Sequence, residues 1–263
     1  MKKLNRQIES ARIMFAGLAL LLALFGSGCT HLSVDEEVRS EPYACVSSSG
    51  PIAIDGRIDE DAWQNAAPIT VFNVFGPEGA ENLSPTEARI LWDNKTLYVA
   101  VSCMDADIRS FSDEPDAELW NGDAVEFFIR LDRDTPVHYE FVAAPNGTLF
   151  DARHPDREPG GFRHYKVWSS GARVAAVVDG TDSDPSDTDN GYTVEMAIPL
   201  NVFQDSVPPA DGVAWTFAVC RYDFSKLYEK PLLLMTMHEA PHDGFHYYEG
   251  YADLVFKRGK GCR

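Results

Sequence analysis

Hydrophobic residues beyond the first quarter of the chain fall into short runs, rich in β-branched and aromatic side chains and separated by polar turns. Such runs are typical of β-strands. They lie at residues 69–75, 88–92, 97–103, 124–131, 138–143, 148–150, 172–178, 192–198, 215–222, 232–237 and 251–256. Residues 93–95 predict the turn of a hairpin, and residues 59–66 predict one short helix. The pattern predicts an all-β fold, an antiparallel β-sandwich of the jelly-roll-like kind with very short helices.

The N-terminal residues have a different pattern. Basic residues precede an apolar run of 13 residues at positions 13–25, and small residues follow it before Cys29. Because this run is too short to span a bilayer comfortably, it predicts a signal peptide over residues 1–28, with an uncleaved membrane anchor as the alternative.

The residues around Cys29 resemble the lipobox of bacterial lipoproteins, although Gly26 stands where that motif usually has Leu. The resemblance implies that Cys29 is lipidated and anchors the chain to a membrane of the bacterial cell envelope, with the outer membrane expected. Polar residues 29–42 predict a flexible tether, residues 43–257 the β-sandwich, and residues 258–263 a C-terminal tail.

The charge excludes one class of partner. The whole chain carries a formal charge of −18, and removal of the first 28 residues, which carry four basic residues and one acidic residue, leaves −21. Such a chain repels phosphate backbones, so no nucleic acid partner is expected. Neutral polymers and divalent cations remain compatible with it, and a monomer is expected.

Apart from the lipidation candidate Cys29, four cysteines follow the predicted signal peptide, so three disulfide pairings are open in an oxidising compartment. Cys45 and Cys262 lie near the two ends of the predicted domain, where first and last strands often neighbour each other, which favours pairing them. Cys103 and Cys220 lie in apolar strands and are interpreted as buried thiols.

Five segments, taken in order, resemble the family 9 carbohydrate-binding modules, which share a DOMON-like β-sandwich with other families. The segment around Trp120 gives the best match, and together the five cover nearly the whole of the chain after the tether. They are residues 54–63, 88–105, 119–129, 191–199 and 245–254.

Membership of that family implies a module without catalytic apparatus, and a sugar slot between two aromatic rings. The positions that match the two rings are Trp120 and Phe245. Glu126 matches a polar position of the slot, and His246 is placed to bind a sugar hydroxyl. An aromatic ring stacks on the apolar face of a pyranose while polar groups bind its hydroxyls.

The sequence departs from the family pattern at the strand that follows the Trp120 segment. There, Val142 and Ala144 stand where polar side chains are expected, so their side chains offer no hydrogen bond to a sugar. The resemblance therefore supports the fold more strongly than it supports the ligand chemistry.

Calcium is the metal that the family resemblance implies. Asp55, Asp59 and Asp61 in the opening segment form one candidate calcium site, because calcium prefers carboxylate oxygens. The acidic loop over residues 182–189 offers similar oxygens, but a solvated loop is the favoured interpretation there.

The leading functional hypothesis is non-catalytic binding of an oligosaccharide or polysaccharide at the cell envelope, in support of polysaccharide breakdown. Asp123 and Glu126 are not interpreted as a glycosidase pair. One alternative is a b-type haem-binding electron-transfer sandwich, and another is an envelope protein-interaction module. Candidate haem ligands are His138, His154, Met104, Met196, Met235 and Met237.

Overall fold

The computed structural model describes residues 41–75, 84–157, 168–203, 209–226, 230–236 and 245–259. The predicted signal peptide, Cys29 and most of the tether lie outside the described residues, as do Met237 and Cys262. By its internal contacts the chain divides after Val38, and residues 39–263 form one compact unit.

Nearly all regular structure in the described part of the chain is β-strand, which confirms the predicted fold class. Helical structure there is confined to short 3₁₀ turns, one of which, Asp61–Asn65, lies within the predicted helix. The strands are β1 (Tyr43–Ser47), β2 (Asn73–Phe75), β3 (Thr86–Trp92), β4 (Thr96–Cys103), β5 (Ala124–Arg130), β6 (His138–Ala143), β7 (Leu149–His154), β8 (Arg173–Asp179), β9 (Gly191–Pro199), β10 (Ala214–Asp223), β11 (Leu232–Met235) and β12 (Ala252–Lys257).

The predicted hairpin between β3 and β4 is present. The two strands pair antiparallel from Thr86 opposite Cys103 to Trp92 opposite Leu97. At the turn, a carboxylate oxygen of Asp93 accepts hydrogen bonds from the backbone N–H groups of Lys95 and Thr96 at 2.7 and 2.8 Å. This side chain replaces a backbone partner in the turn, which is why aspartate favours such positions.

The strands form one mixed sheet in the order β7-β6-β5-β10-β12-β1-β3-β4-β9-β8, and β11 joins β10 to β2. The sheet is antiparallel, as predicted, except at β1. β1, which the sequence pattern did not predict, pairs parallel with both β12 and β3. The first and last strands of the domain are therefore neighbours.

The inner faces of the strands enclose one hydrophobic core. It contains aromatic residues from both halves of the sheet, including Phe127, Phe141 and Phe217 on one side and Trp92 on the other. A second, smaller core covers the outer side of β3, β4 and β9, where the segment around Trp63 packs. The sheet is thus buried on both sides over much of its area.

Glu195 of β9 holds the opening segment, residues 54–63, against the sheet. One carboxylate oxygen accepts hydrogen bonds from the backbone N–H groups of Asp55 and Gly56 at 3.1 and 3.0 Å, and the other accepts one from the Trp63 indole at 3.1 Å. Gly56 has φ of +85°, and a Cβ there would meet backbone atoms of Ala176 at 2.7 Å. Only glycine fits such a close approach.

Cys45 is a free buried thiol, and Cys262, the partner that the sequence favoured for it, lies outside the described residues. The side chain of Cys45 lies in the inner core, and Cys45 pairs with Phe256 of β12. Cys103 and Cys220 are also free and buried, as predicted. Burial raises the pKa of all three thiols, to about 11 for Cys103, so these thiols stay protonated near neutral pH.

Within the described ranges, the structure contains no helix with the length and apolar character needed to cross a bilayer.

Replacing Glu195 by alanine should lower the free energy of unfolding by about 2–4 kcal/mol, because three donors lose their acceptor at a buried site. Urea unfolding followed by tryptophan fluorescence measures this loss. Glu87→Ala is the control, since Glu87 makes only a partly exposed pair with Arg89 and should change stability by less than about 1 kcal/mol. Equal effects of the two substitutions would contradict the role given to Glu195.

Candidate functional site

The outer side of β5, β6, β7 and β10 carries the candidate site, and we call it the outer face. Side chains alternate between the two sides of a strand, so every second residue lies on this face. Every residue of β5 and β6 is nevertheless buried. The outer face is therefore covered, and its polar groups are withdrawn from water.

The strand register brings polar residues of different strands together on this face. Glu126 of β5 lies opposite Val142 of β6, and one step along the sheet Phe128 lies opposite Glu140. At the next step His138 of β6 lies opposite His154 of β7. The outer face thus changes from apolar at the Val142 end to imidazole at the other end.

Trp120 lies at the apolar end of the outer face, in the 3₁₀ turn Leu119–Asn121. Its ring is partly exposed and packs edge-to-face with Phe150, with 5.1 Å between ring centroids and 89° between planes. Val142 and Ala144 belong to the apolar cluster beneath it. The ring is held in place by packing, as a binding platform requires.

Glu126 and Glu140 are two buried carboxyl groups on the outer face. Burial raises the pKa of Glu126 well above its usual value, and the charge of Glu140 raises it further. Burial raises the pKa of Glu140 to about 7, although His246 opposes the shift. A carboxyl group that keeps its proton can donate as well as accept a hydrogen bond.

Three histidines meet at the other end of the outer face. The rings of His138 and His154 are stacked, with centroids 4.7 Å apart and planes at 13°. Nε2 of His138 lies 3.1 Å from Nδ1 of His246, and Nε2 of His154 lies 2.6 Å from a carboxylate oxygen of Glu140. Burial lowers the pKa of all three imidazoles to about 4, so they are neutral at pH 7.

Phe245 does not serve as an exposed second ring, which corrects the prediction. It is 2% exposed and packs in a cluster with Phe128 and Tyr251. Tyr251 also donates a hydrogen bond from its hydroxyl to the Phe245 carbonyl at 3.0 Å. The segment that begins at Phe245 therefore covers the outer face rather than offering a free ring to a ligand.

The next residues of this segment extend the cover. His246 contacts the ring of Phe128, with centroids 5.3 Å apart. The ring of Tyr248 has the guanidinium groups of Arg130 and Arg157 near it, at 4.2 and 4.3 Å from its centroid. Arg157 also forms an ion pair with Glu249. Of the predicted sugar contacts, the structure places Trp120, Glu126 and His246 on the same face.

The predicted calcium ligands Asp55, Asp59 and Asp61 are all exposed and do not converge on one point. A carboxylate oxygen of Asp55 instead accepts a hydrogen bond from the backbone N–H of Arg57 at 2.9 Å. The geometry thus does not favour calcium at these residues.

Three other acidic side chains, Asp105, Asp123 and Asp223, do lie close together in the interior, and we call them the buried acidic group. They lie near the Arg221 side chain, which is 0% exposed. The Arg221 guanidinium donates to Asp105 at 2.9 Å and lies 3.5 Å from Asp223. Asp123, the third carboxylate, accepts backbone N–H groups of Arg109 and Phe224 at 2.5 and 2.6 Å. These contacts connect loops at one end of the sheet, so this group has a structural role.

The register also tests the haem alternative. Met235 lies opposite Cys220, Cys220 opposite Glu126, and Glu126 opposite Val142. β11 is thus three strand spacings, about 14 Å, from the strand that carries His138. Two axial ligands bind the same iron atom, so this pair is too far apart.

The other methionines are no better placed. Met196 lies in the inner core, and Met104 is 58% exposed after the end of β4. Within the described ranges, no methionine is therefore placed to share an iron with these histidines.

Comparison with known proteins identifies the family to which this β-sheet domain belongs. Residues 54–246 match the family described as carbohydrate family 9 binding domain-like. The chain belongs to this family. The match begins in the segment that Glu195 attaches to β9 and ends at His246 on the outer face.

Two solved family 9 modules from Caldicellulosiruptor kristjanssonii have the same fold. The module in complex with glucose has a TM-score of 0.56 at 16% identity, with 84% of this chain and 98% of that chain covered. The module in complex with cellotriose has a TM-score of 0.52 at 18% identity, covering 82% and 94%. At identities this low, the similarity to these two structures supports a shared fold only.

Endo-1,4-β-xylanase A of Thermoanaerobacterium saccharolyticum is 28% identical over 164 residues. The aligned part covers 62% of this chain but only 12% of the xylanase. The family 9 domain thus corresponds to a small part of that enzyme.

Sequence reasoning missed Glu140, and it considered His138 and His154 only as haem ligands. The sequence pattern that could have revealed them is the alternation of His138, Glu140 and Val142 along β6, which places all three side chains on one face. The pairing of His138 with His154 depends on the β6–β7 register, which the sequence pattern alone did not specify.

The buried acidic group predicts an unusual pH dependence. Burial, followed by repulsion from Asp105, raises the pKa of Asp123 to about 8. Because the native state then holds this proton more tightly than the unfolded chain, the associated stability is complete below about pH 4 and is lost as the pH rises to about 8. Raising the pH from 6.5 to 8.5 should lower the free energy of unfolding, with about 2 kcal/mol of the decrease coming from Asp123.

Urea unfolding at the two pH values measures this effect. In Asp123→Asn, which cannot ionise at this position, the decrease should be smaller. A wild-type stability that stays constant or increases over this interval would show that Asp123 is already ionised in the folded protein.

Proposed function

We propose that this family 9 domain binds oligosaccharide or polysaccharide chains at the outer face, with Trp120 as the stacking platform. The observation that carries the proposal is the Trp120 ring, partly exposed and fixed by Phe150, at the edge of a face that contains Glu126. A pyranose has an apolar side that packs on an aromatic ring and hydroxyl groups that need polar partners.

The proposed sugar contacts lie at the apolar end of the outer face. The apolar end beneath Trp120, with Val142, favours the C–H side of the sugar ring. Glu126 is only 2% exposed and lies below this surface, so we do not propose it as a direct sugar contact. Because Phe245 is buried, we propose a single exposed platform in place of a slot between two rings.

We propose β-1,4-linked glucan or xylan fragments as the ligand class. Support comes from the family, from the solved modules in complex with glucose and cellotriose, and from the matching part of a xylanase. We also propose that the domain binds without catalysing hydrolysis. Asp123, the carboxylate nearest in sequence to Glu126, is occupied by two backbone N–H groups.

Lipidation of Cys29 and export to the bacterial cell envelope belong to the same proposal. Their support is the basic start, the 13-residue apolar run and the small residues before Cys29. A lipid-anchored domain on a flexible tether would hold glycan fragments close to the membrane.

Trp120→Ala should weaken binding of cellotriose or xylotriose by a factor of about 30 or more, since central aromatic contacts typically contribute about 2 kcal/mol or more. Because the ring is also partly buried against Phe150, the free energy of unfolding should fall by about 1–2 kcal/mol. Isothermal titration calorimetry and urea unfolding measure the two effects.

Met104→Ala is the control for loss of exposed apolar surface, because Met104 is 58% exposed after β4. Its affinity for sugar should equal that of the wild type. If a folded wild-type protein binds no sugar from a broad panel, the function is instead that of an envelope protein-interaction module.

Cys29→Ser should abolish incorporation of radiolabelled palmitate and release the protein from the membrane fraction when the full chain is expressed in a bacterium. Cys220→Ser, at a buried thiol of the domain, should keep the label. Labelling of the Cys29→Ser protein at the wild-type level would contradict the proposed anchor.

A further inference from the structure

The three histidines of the outer face have the arrangement of a metal site. One ring nitrogen from each of His138, His154 and His246 lies within 4.8 Å of the others. Imidazole nitrogen is a preferred ligand of Zn²⁺ and neighbouring transition metals. This group differs from the exposed aspartates considered above for calcium, which prefers oxygen ligands.

We propose that His138, His154 and His246 bind a Zn²⁺ ion on the outer face. The sugar platform at Trp120 occupies the other end of the same face, so the zinc site is a separate feature of this domain.

Hydrogen bonds already orient two of the ligands. Nδ1 of His138 lies 3.0 Å from the carbonyl oxygen of Pro136, which can only accept, so this nitrogen carries the proton. The lone pair of Nε2 is then directed at His246. Nε2 of His154 contacts Glu140. A carbonyl or carboxylate that fixes the second nitrogen of a histidine is the usual support of a zinc ligand.

The separation between two of the ligand nitrogens suits a single ion. Two nitrogens bound to one tetrahedral Zn²⁺ at about 2.0–2.1 Å lie about 3.3 Å apart. With Nδ1 of His138 protonated, Nδ1 of His246 donates a hydrogen bond to Nε2 of His138 over 3.1 Å. A Zn²⁺ ion would take the place of that proton, and His246 would then carry its proton on the other nitrogen.

The charges around the site allow a cation. Arg130 and Arg157 lie nearby, but both contact the ring of Tyr248, and Arg157 is paired with Glu249. Glu140 contacts the cluster directly, and Glu126 lies one step along β5 from Phe128, the residue opposite Glu140. A divalent ion would favour the ionised form of Glu140 at this buried position.

Zinc titration of the purified full chain tests the proposal. After removal of metal with EDTA and exchange into chelator-free buffer, ZnCl₂ should bind with one-to-one stoichiometry in isothermal titration calorimetry and raise the unfolding temperature. His154→Ala and His246→Ala should weaken the zinc affinity by about 100-fold or more, and Glu140→Gln by about 10–100-fold.

His246→Ala is the more conservative of the two histidine substitutions, because His246 lies outside the sheet and is only partly buried. Asp134→Asn, which alters an exposed carboxylate in the loop before β6, is the control and should bind zinc with the wild-type affinity. Circular dichroism confirms that each protein is folded.

Two results would overturn the proposal. One is the absence of saturable zinc binding by the folded wild-type chain, and the other is unchanged affinity in both His154→Ala and His246→Ala. Since the titration contains no sugar, neither result depends on whether the outer face binds glycans.

Discussion

Burial of β5 and β6 on both sides is the constraint on which the rest of the structure depends. A strand with water on one side can place any polar residue there, but here every position is covered. Each polar side chain on the outer face must therefore find a partner or change its protonation state. The raised pKa of Glu140, the neutral histidines and the contact between Glu140 and His154 all follow from this single condition.

The segments that identify the family are those that hold the scaffold together. The opening segment is attached to β9 by Glu195, and Asp123 connects two loops through backbone N–H groups. Gly122, beside it, leaves no space for a Cβ, which would lie 2.6 Å from the carbonyl oxygen of Arg109. Such residues are constrained by the fold whatever the ligand.

Most strands could be predicted from the sequence, because their β-branched and aromatic runs are separated by clear turn residues. β1 escaped prediction, since it is short and its neighbours are distant in sequence. Trp120 and Glu126 were predicted from the resemblance to family 9 modules, and the structure places both on the outer face. The burial of Phe245 and the meeting of His138, His154 and His246 could not be predicted, because both depend on register and on a segment that folds back over the sheet.

The position of β1 has a consequence for the order in which the protein is built. This strand fills the gap between β3 and β12, and β12 is the last strand in the described part of the chain. A polypeptide that emerges N-terminus first therefore cannot close its sheet until β12 is available, and such distant pairings form slowly.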